Sequence, residues 1–237
     1  MRAGPVKAGP ALQRSKDPQP MFWRILPHAS ACISAERIYL LDIRQDRYFQ
    51  IPKPSTCGMR DWLERNYPCA PPAPVLELLH RASVHRDGDD APTNGLKNRV
   101  TVPETIASLP CRGSRRPSRP TFRGVLGASL RLRSKSFQSI ITRRRLRLPL
   151  PIHADSTAAL EMADRFERAR VLVPIARDCL LDSLALDTML ARHALGSEFV
   201  FGIATQPFEA HCWLQTRDAI LNDSFDHVSR FTPILTL

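Results

Sequence analysis

Three side chains in the C-terminal quarter of the chain, Cys179, His211 and Asp223, are of types that can together carry nucleophilic chemistry. A thiol attacks a carbonyl as its thiolate, with a base within reach and a third group holding the imidazole in the right tautomer. Asp178 stands at an N-cap position ahead of an apolar run, so Cys179 falls at the first helical position. There the positive end of the helix dipole favours the thiolate. Leu181, Leu184, Ala185 and Met189 share one face and Leu186 and Leu190 lie nearly opposite, the pattern of a buried helix. Arg192 and His193 in the last turn, with Gly196 beyond, read as its stop signal.

The partners need elements to position them. Residues 198–203 are rich in β-formers and predict a strand. A loop at Gln206-Pro207 leads into a second strand over 209–216, with His211 and Trp213 on one side and Cys212 on the other. Cys212 is therefore expected to point away from the site. Asp218-Ala219 reads as a tight turn, and residues 220–223 as the start of a third strand that sets Asp223 beside His211. Asp226 is a competing carboxylate. His193 reads as a cation at a helix C-terminus and His227 as a turn residue. The Cys179 backbone N–H is a natural oxyanion donor, while the second donor is not readable.

The order helix Cys, strand His, strand Asp resembles the transglutaminase-like branch of papain-type folds. It resembles more closely the leader peptidases of lasso peptide biosynthesis, the B proteins. The stretches that carry this likeness are Arg-Asp-Cys-Leu-Leu-Asp-Ser-Leu-Ala-Leu (177–186), Pro-Phe-Glu-Ala-His-Cys-Trp-Leu (207–214), Leu-Asn-Asp-Ser (221–224) and Arg-Phe-Thr-Pro (230–233). The resemblance covers residues 150–237 and implies catalytic roles for Cys179, His211 and Asp223. It implies a cysteine endopeptidase that removes the leader of a ribosomally made precursor. The partners it implies are that precursor leader and a separate ATP-dependent, asparagine-synthetase-like cyclase. The same three residues also support acyl transfer to an amine, and a non-catalytic peptide-binding adaptor is the non-enzymatic alternative.

Residues 21–51 read as β, with strands at 31–33, 36–43 and 48–51, followed by short helices over 59–67 and 74–82. Pro52 and Pro54 end the pairing. Sheet then helices resembles the winged-helix leader-recognition module of ribosomal-peptide pathways, which binds its peptide as an added strand. That likeness implies a groove bordered by Tyr48, Phe49, Ile51, Val75 and Leu79. The alternative is a plain hairpin capping the catalytic part. The expected fold class is α+β: a small winged-helix-like leader-recognition domain, then a papain/transglutaminase-like cysteine peptidase domain. The expected divisions are 1–20 as a disordered tail or misplaced start, 21–85 for recognition, 86–120 as linker and 121–237 for the peptidase. Helices are predicted over 122–132, 137–146 and 158–172, the last with i,i+4 pairs Glu161–Arg165 and Asp164–Arg168.

Composition bounds the rest. The net charge of +11 is local, because residues 112–147 hold twelve Lys/Arg and no Asp or Glu. This segment reads as a solvated helix face or a docking surface for an acidic partner. Nucleic acid is not expected as a partner, since the stretch lacks interleaved aromatics. Six cysteines at irregular spacing form neither a disulfide framework nor a zinc site, and a reducing cytoplasmic setting is expected. No phosphate loop, cofactor, metal site or membrane span is expected.

Overall fold

The computed structural model describes residues 22–25, 28–51, 60, 73, 77, 85–88, 101–103, 115–147, 150 and 156–237. The tail 1–20, most of the helices expected over 59–67 and 74–82, and Val75 and Leu79 lie outside the described residues. What is described mixes helices with antiparallel sheets. The strands are β1 (Phe22–Ile25), β2 (Ala29–Ser34), β3 (Arg37–Asp42), β4 (Arg47–Gln50), β5 (His85–Gly88), β6 (Glu198–Thr205), β7 (Phe208–Gln215) and β8 (Thr232–Thr236). The helices are α1 (Arg119–Ser134), α2 (Phe137–Arg145), α3 (Thr157–Arg170), α4 (Cys179–Arg192) and the single turn α5 (Phe225–Val228).

Helix starts follow local chemistry. Ser118 and Ser136 cap α1 and α2 by accepting from Thr121 N and Ser139 N, each at 3.3 Å, and Pro120 stands in the first turn of α1. Asp178 caps α4 by accepting from Leu181 N at 3.0 Å. The end of α4 differs from expectation. Ala194, at φ 56°, takes the left-handed position, and Leu195 N donates to Leu190 O at 3.0 Å. This is a Schellman closure two residues before Gly196, and its hydrogen bonds offset the strain of a Cβ at positive φ. The two pairs expected on α3 form, Arg168–Asp164 at 2.6 Å and Arg165–Glu161 at 3.4 Å.

Helix α4 is the centre of the core. Leu181, Leu184, Ala185, Leu186, Met189 and Leu190 are all buried, so almost the whole circumference is covered. One face of α4 takes α1, where a Cβ at Gly124 would lie 3.6 Å from Ala185 O and from Met189. Another meets the sheet ordered β7–β6–β8, through Phe199, Phe201, Ile203, Cys212 and Leu214. The opposite face of that sheet has its own small core of Val200, Ala204, Trp213, Val228 and Phe231, with Val102 packed against it.

One face of the sheet β2–β3–β4 joins the large core. Cys32, Tyr39, Leu41 and Ile43 belong to the same buried cluster as α4 and β6. β2 runs beside β8, where Ser30 Oγ donates to Ile234 O and Thr232 Oγ1 donates to Ser34 Oγ at 2.9 Å. The rings of Tyr39 and Tyr48 pack on Phe208 of β7, at 6.3 and 5.6 Å between centroids. A winged-helix arrangement is not shown, since its expected helices fall almost wholly outside the described residues.

Two readings need correction. Residues 86–88, expected in a linker, belong to β5, which pairs antiparallel with β1 from Ile25↔His85 to Phe22↔Gly88. His-Arg-Asp-Gly has no β-branched or aromatic residue, so only the ladder to a distant strand reveals it. The third strand of the C-terminal sheet is β8, not 220–223. It pairs with β6, while Ile220 makes only an isolated bridge to Gln215. β8 contains Pro233, which it accommodates beside a register shift at Phe201/Gly202.

Candidate active site

Cys179 stands at the first position of α4, whose unpaired N–H groups and dipole favour a negative sulfur. The approach to it is clamped by ion pairs. Arg170, 1% exposed, donates to Asp182 Oδ1 at 2.6 Å and to Ala176 O at 3.0 Å. Arg177 donates to Asp182 Oδ2 at 3.1 Å and to Glu167 at 2.7 Å. Asp182 lies one turn into α4, so two guanidinium groups tie the incoming loop to the helix that starts at Cys179. Both charges of the buried pair are satisfied, the condition under which such a pair is tolerated.

His211 lies on β7, an edge strand of its sheet, on the face opposite to α4. Its ring is bracketed by Phe231 at 5.0 Å and Trp213 at 6.1 Å. Gly202, directly across from His211, makes this bracket possible, because a Cβ there would stand 2.9 Å from both the Trp213 ring and Phe231. His211 Nε2–H donates to Asp223 Oδ2 at 2.5 Å. Nδ1 is therefore the nitrogen left to serve the Cys179 sulfur.

Asp223 sits in a bend ahead of α5, not on a strand. Its neighbour Asn222 fixes that bend, accepting from Leu214 N at 2.7 Å and donating to Ser183 Oγ at 2.8 Å. One amide thus ties the Asp223 bend to both β7 and α4. Asp223 Oδ1 also accepts from Ser224 N at 2.7 Å, and its carboxylate accepts from His227 Nδ1 at 2.9 Å. Asp226, the competing carboxylate, lies in the first turn of α5.

Cys212 is not directed away from the site. Alternation does put it on the other face from His211, but that is the face α4 packs against. Ser183, one turn after Cys179, donates to Cys212 O at 3.4 Å. Hydrogen bonding from the Cys212 side chain is the largest influence on Cys179. Burial opposes it, His211 and the Cys212 backbone N–H reinforce it, and the Cys179 pKa falls to about 5. Cys212 itself is pushed up by burial and then by Cys179, so it remains a thiol and a donor. Burial works against the His211 imidazolium, but Asp223 and Cys179 outweigh it and raise its pKa to about 9. Burial likewise opposes the Asp223 carboxylate, and hydrogen bonds from His211, His227 and Ser224 N hold its pKa below the usual value. The arrangement thus favours a thiolate, an imidazolium and a carboxylate in sequence.

Of the residues expected to border a peptide groove, Tyr48 and Phe49 are half-buried on β4 and Ile51 is buried just beyond it. Tyr48 packs against the large buried cluster, as Cys179 does. Its phenol is pushed up by burial first, then by Asp46, Cys212 and Cys179. His193 caps α4, its Nδ1 bonding Met189 O at 2.9 Å. Sequence reasoning missed His227 and Asn222. The only signal for His227 was its i,i+4 spacing from Asp223.

His211, Asp223 and His227 offer ligand atoms within 4.8 Å of one another, among the described residues a possible cation cluster. No helix among the described residues is long and apolar enough to cross a membrane. No curated protein and no solved structure matches the chain. A family model described as the transglutaminase-like superfamily matches residues 123–236. Helix α4 with Cys179 at its start, β7 with His211 and the Asp223 bend all fall inside that span, and residues 123–236 are a domain of the transglutaminase-like superfamily, which includes cysteine peptidases and acyltransferases.

Proposed function

We propose that this chain is a cysteine peptidase that removes the leader from a ribosomally synthesised lasso-type precursor, with Cys179 as nucleophile, His211 as base and acid, and Asp223 as the orienting carboxylate. The observation that carries the chemistry is the line from Asp223 through His211 Nε2 to a thiol at a helix N-terminus. Cys179 thiolate attacks the scissile carbonyl carbon, forming the S–C bond. His211 Nδ1–H then protonates the departing amine as the C–N bond breaks. A water, deprotonated by His211, hydrolyses the thioester and releases the leader carboxylate. Cys179 N–H is the natural donor to the oxyanion.

The leader would be held on residues 21–85 and cut by residues 121–237. Support for this comes from β4, which among the described residues pairs with β3 alone, leaving its other edge for an added strand. The Tyr48 phenol on that strand feels the charge of Cys179, which supports a peptide paired there running near the sulfur. The freed amine of the core would then pass to the ATP-dependent, asparagine-synthetase-like cyclase that the sequence resemblance implies.

Incubating the purified full chain with a precursor peptide and reading product masses tests the proposal. Wild type should release leader and core, and Cys179→Ala should release neither. Cleavage retained by Cys179→Ala would sink the assignment. An amine adduct replacing the free leader acid when a primary amine is added would favour the acyl-transfer reading.

A further inference from the structure

The basic segment finds no use in the chemistry above, yet it is built into a shaped surface. The end of α1, the length of α2 and the middle of α4 enclose an open trough of about 740 Å³, walled by Arg131, Arg143 and Arg147. The Arg131 guanidinium is fixed, donating to Gly127 O and to Thr188 Oγ1, each at 3.1 Å. In an adjoining pocket that shares Arg131, Arg143 and Arg147, Asp187, 3% exposed, takes Arg144 at 3.0 Å and Arg147 at 2.8 Å. That single carboxylate is fully engaged, and Arg143 has no ion pair among the described residues. Burial and then the crowding of Arg143 and Arg147 work against the Arg131 charge, with Arg192 adding to them and Asp187 opposing. Cationic charge in this trough therefore exceeds its internal compensation.

We infer that this trough is a docking surface for an acidic segment of a partner protein. Guanidinium groups match carboxylates in bidentate pairs. The hydroxyls of Ser139 and Thr142 can satisfy peptide groups between those carboxylates. Leu146, 79% exposed at the rim, offers an apolar contact that a purely ionic ligand would waste. Among the described residues no aromatic ring lines the trough, so bases have nothing to stack on. Thr188 lies nine residues along α4 from Cys179, about 14 Å at 1.5 Å per residue. Docking thus leaves the Cys179 end of the helix free.

The test uses the full chain and a fluorescein-labelled twelve-residue peptide in which Glu alternates with Ala and Leu, read by anisotropy at low and moderate salt. Wild type should bind in a salt-sensitive way. The pair Arg143→Glu and Ser139→Glu should weaken binding at least tenfold. Both should be tolerated, since Arg143 has no ion pair among the described residues and Glu at position 139 completes a capping box with Ser136. Arg165→Glu, on α3 and outside the trough lining, should change binding less than twofold. If the double variant misfolds by circular dichroism, Arg143→Gln alone should still weaken binding about threefold. Equal loss in Arg165→Glu, or unchanged binding in the trough variants, overturns the inference. So does a single-stranded RNA twenty-mer that binds more tightly than the peptide and is lost with the same double variant.

Discussion

His211 and His227 hydrogen-bond the same carboxylate, Nε2 of one at 2.5 Å and Nδ1 of the other at 2.9 Å from Asp223 Oδ2, with their rings 4.7 Å apart. His227 therefore holds the group that holds His211, the proposed base. Its removal loses one hydrogen bond to a charged acceptor, worth about 1.5–3 kcal/mol. His227→Ala should lower kcat roughly tenfold with KM nearly unchanged, in steady-state cleavage of a precursor peptide. An unaltered kcat would make His227 a surface residue only.

Asp223 rather than Asp226 is expected to be the orienting carboxylate. Asp223→Asn replaces the acceptor of His211 Nε2–H and can impose the wrong tautomer, so kcat should fall by about three to four orders of magnitude. Asp226→Asn should stay within about threefold, since its effect is confined to the start of the one-turn α5. The reverse ranking in parallel kinetics would displace Asp223 from its proposed role.

The pH profile of kcat/KM should be bell-shaped. With Cys179 lowered to about 5, the thiolate is lost as pH falls through that value. With His211 raised to about 9, the imidazolium that protonates the leaving amine is lost as pH rises through that value. Activity should therefore plateau between the two. A single rising limb near pH 8–9, the behaviour of an ordinary thiol, would remove the ion pair from the mechanism.

Cys212 supplies the leading hydrogen bond to the Cys179 sulfur, so Cys212→Ala should raise the Cys179 pKa. The acid limb should move to higher pH while the alkaline limb stays in place. The rate of iodoacetamide labelling at Cys179, followed against pH, reads that shift directly. Equal labelling curves for variant and wild type would show that Cys212 only fills space.

Gly202→Ala should destabilise the fold. Its Cβ would stand 2.9 Å from the Trp213 ring and from Phe231, in a small core where Trp213 has no exposed surface. Overpacking of this kind costs about 1–3 kcal/mol. A lowered urea midpoint at unchanged slope is the expected reading, with loss of activity because the same rings bracket His211.

What could be read from the residues alone was governed by neighbours in the chain. The Asp178 cap and the start of α4 at Cys179 depend on contacts three residues apart, and the alternation of His211, Cys212 and Trp213 depends on strand geometry. Both emerge as expected for that reason. The tertiary structure decided which face of β7 the helix covers, and so turned Cys212 from a bystander into the neighbour of Cys179. It decided that Asp223 is held by a bend, tied by Asn222 to Leu214 and Ser183 across 8 and 39 residues, rather than by a strand. It decided that 232–236, despite Pro233, pairs with β6, and that His85–Gly88, without β-forming residues, pairs with β1. In each case the deciding contacts join different elements of the chain, and local propensity holds no information about partners that only the folded chain brings together.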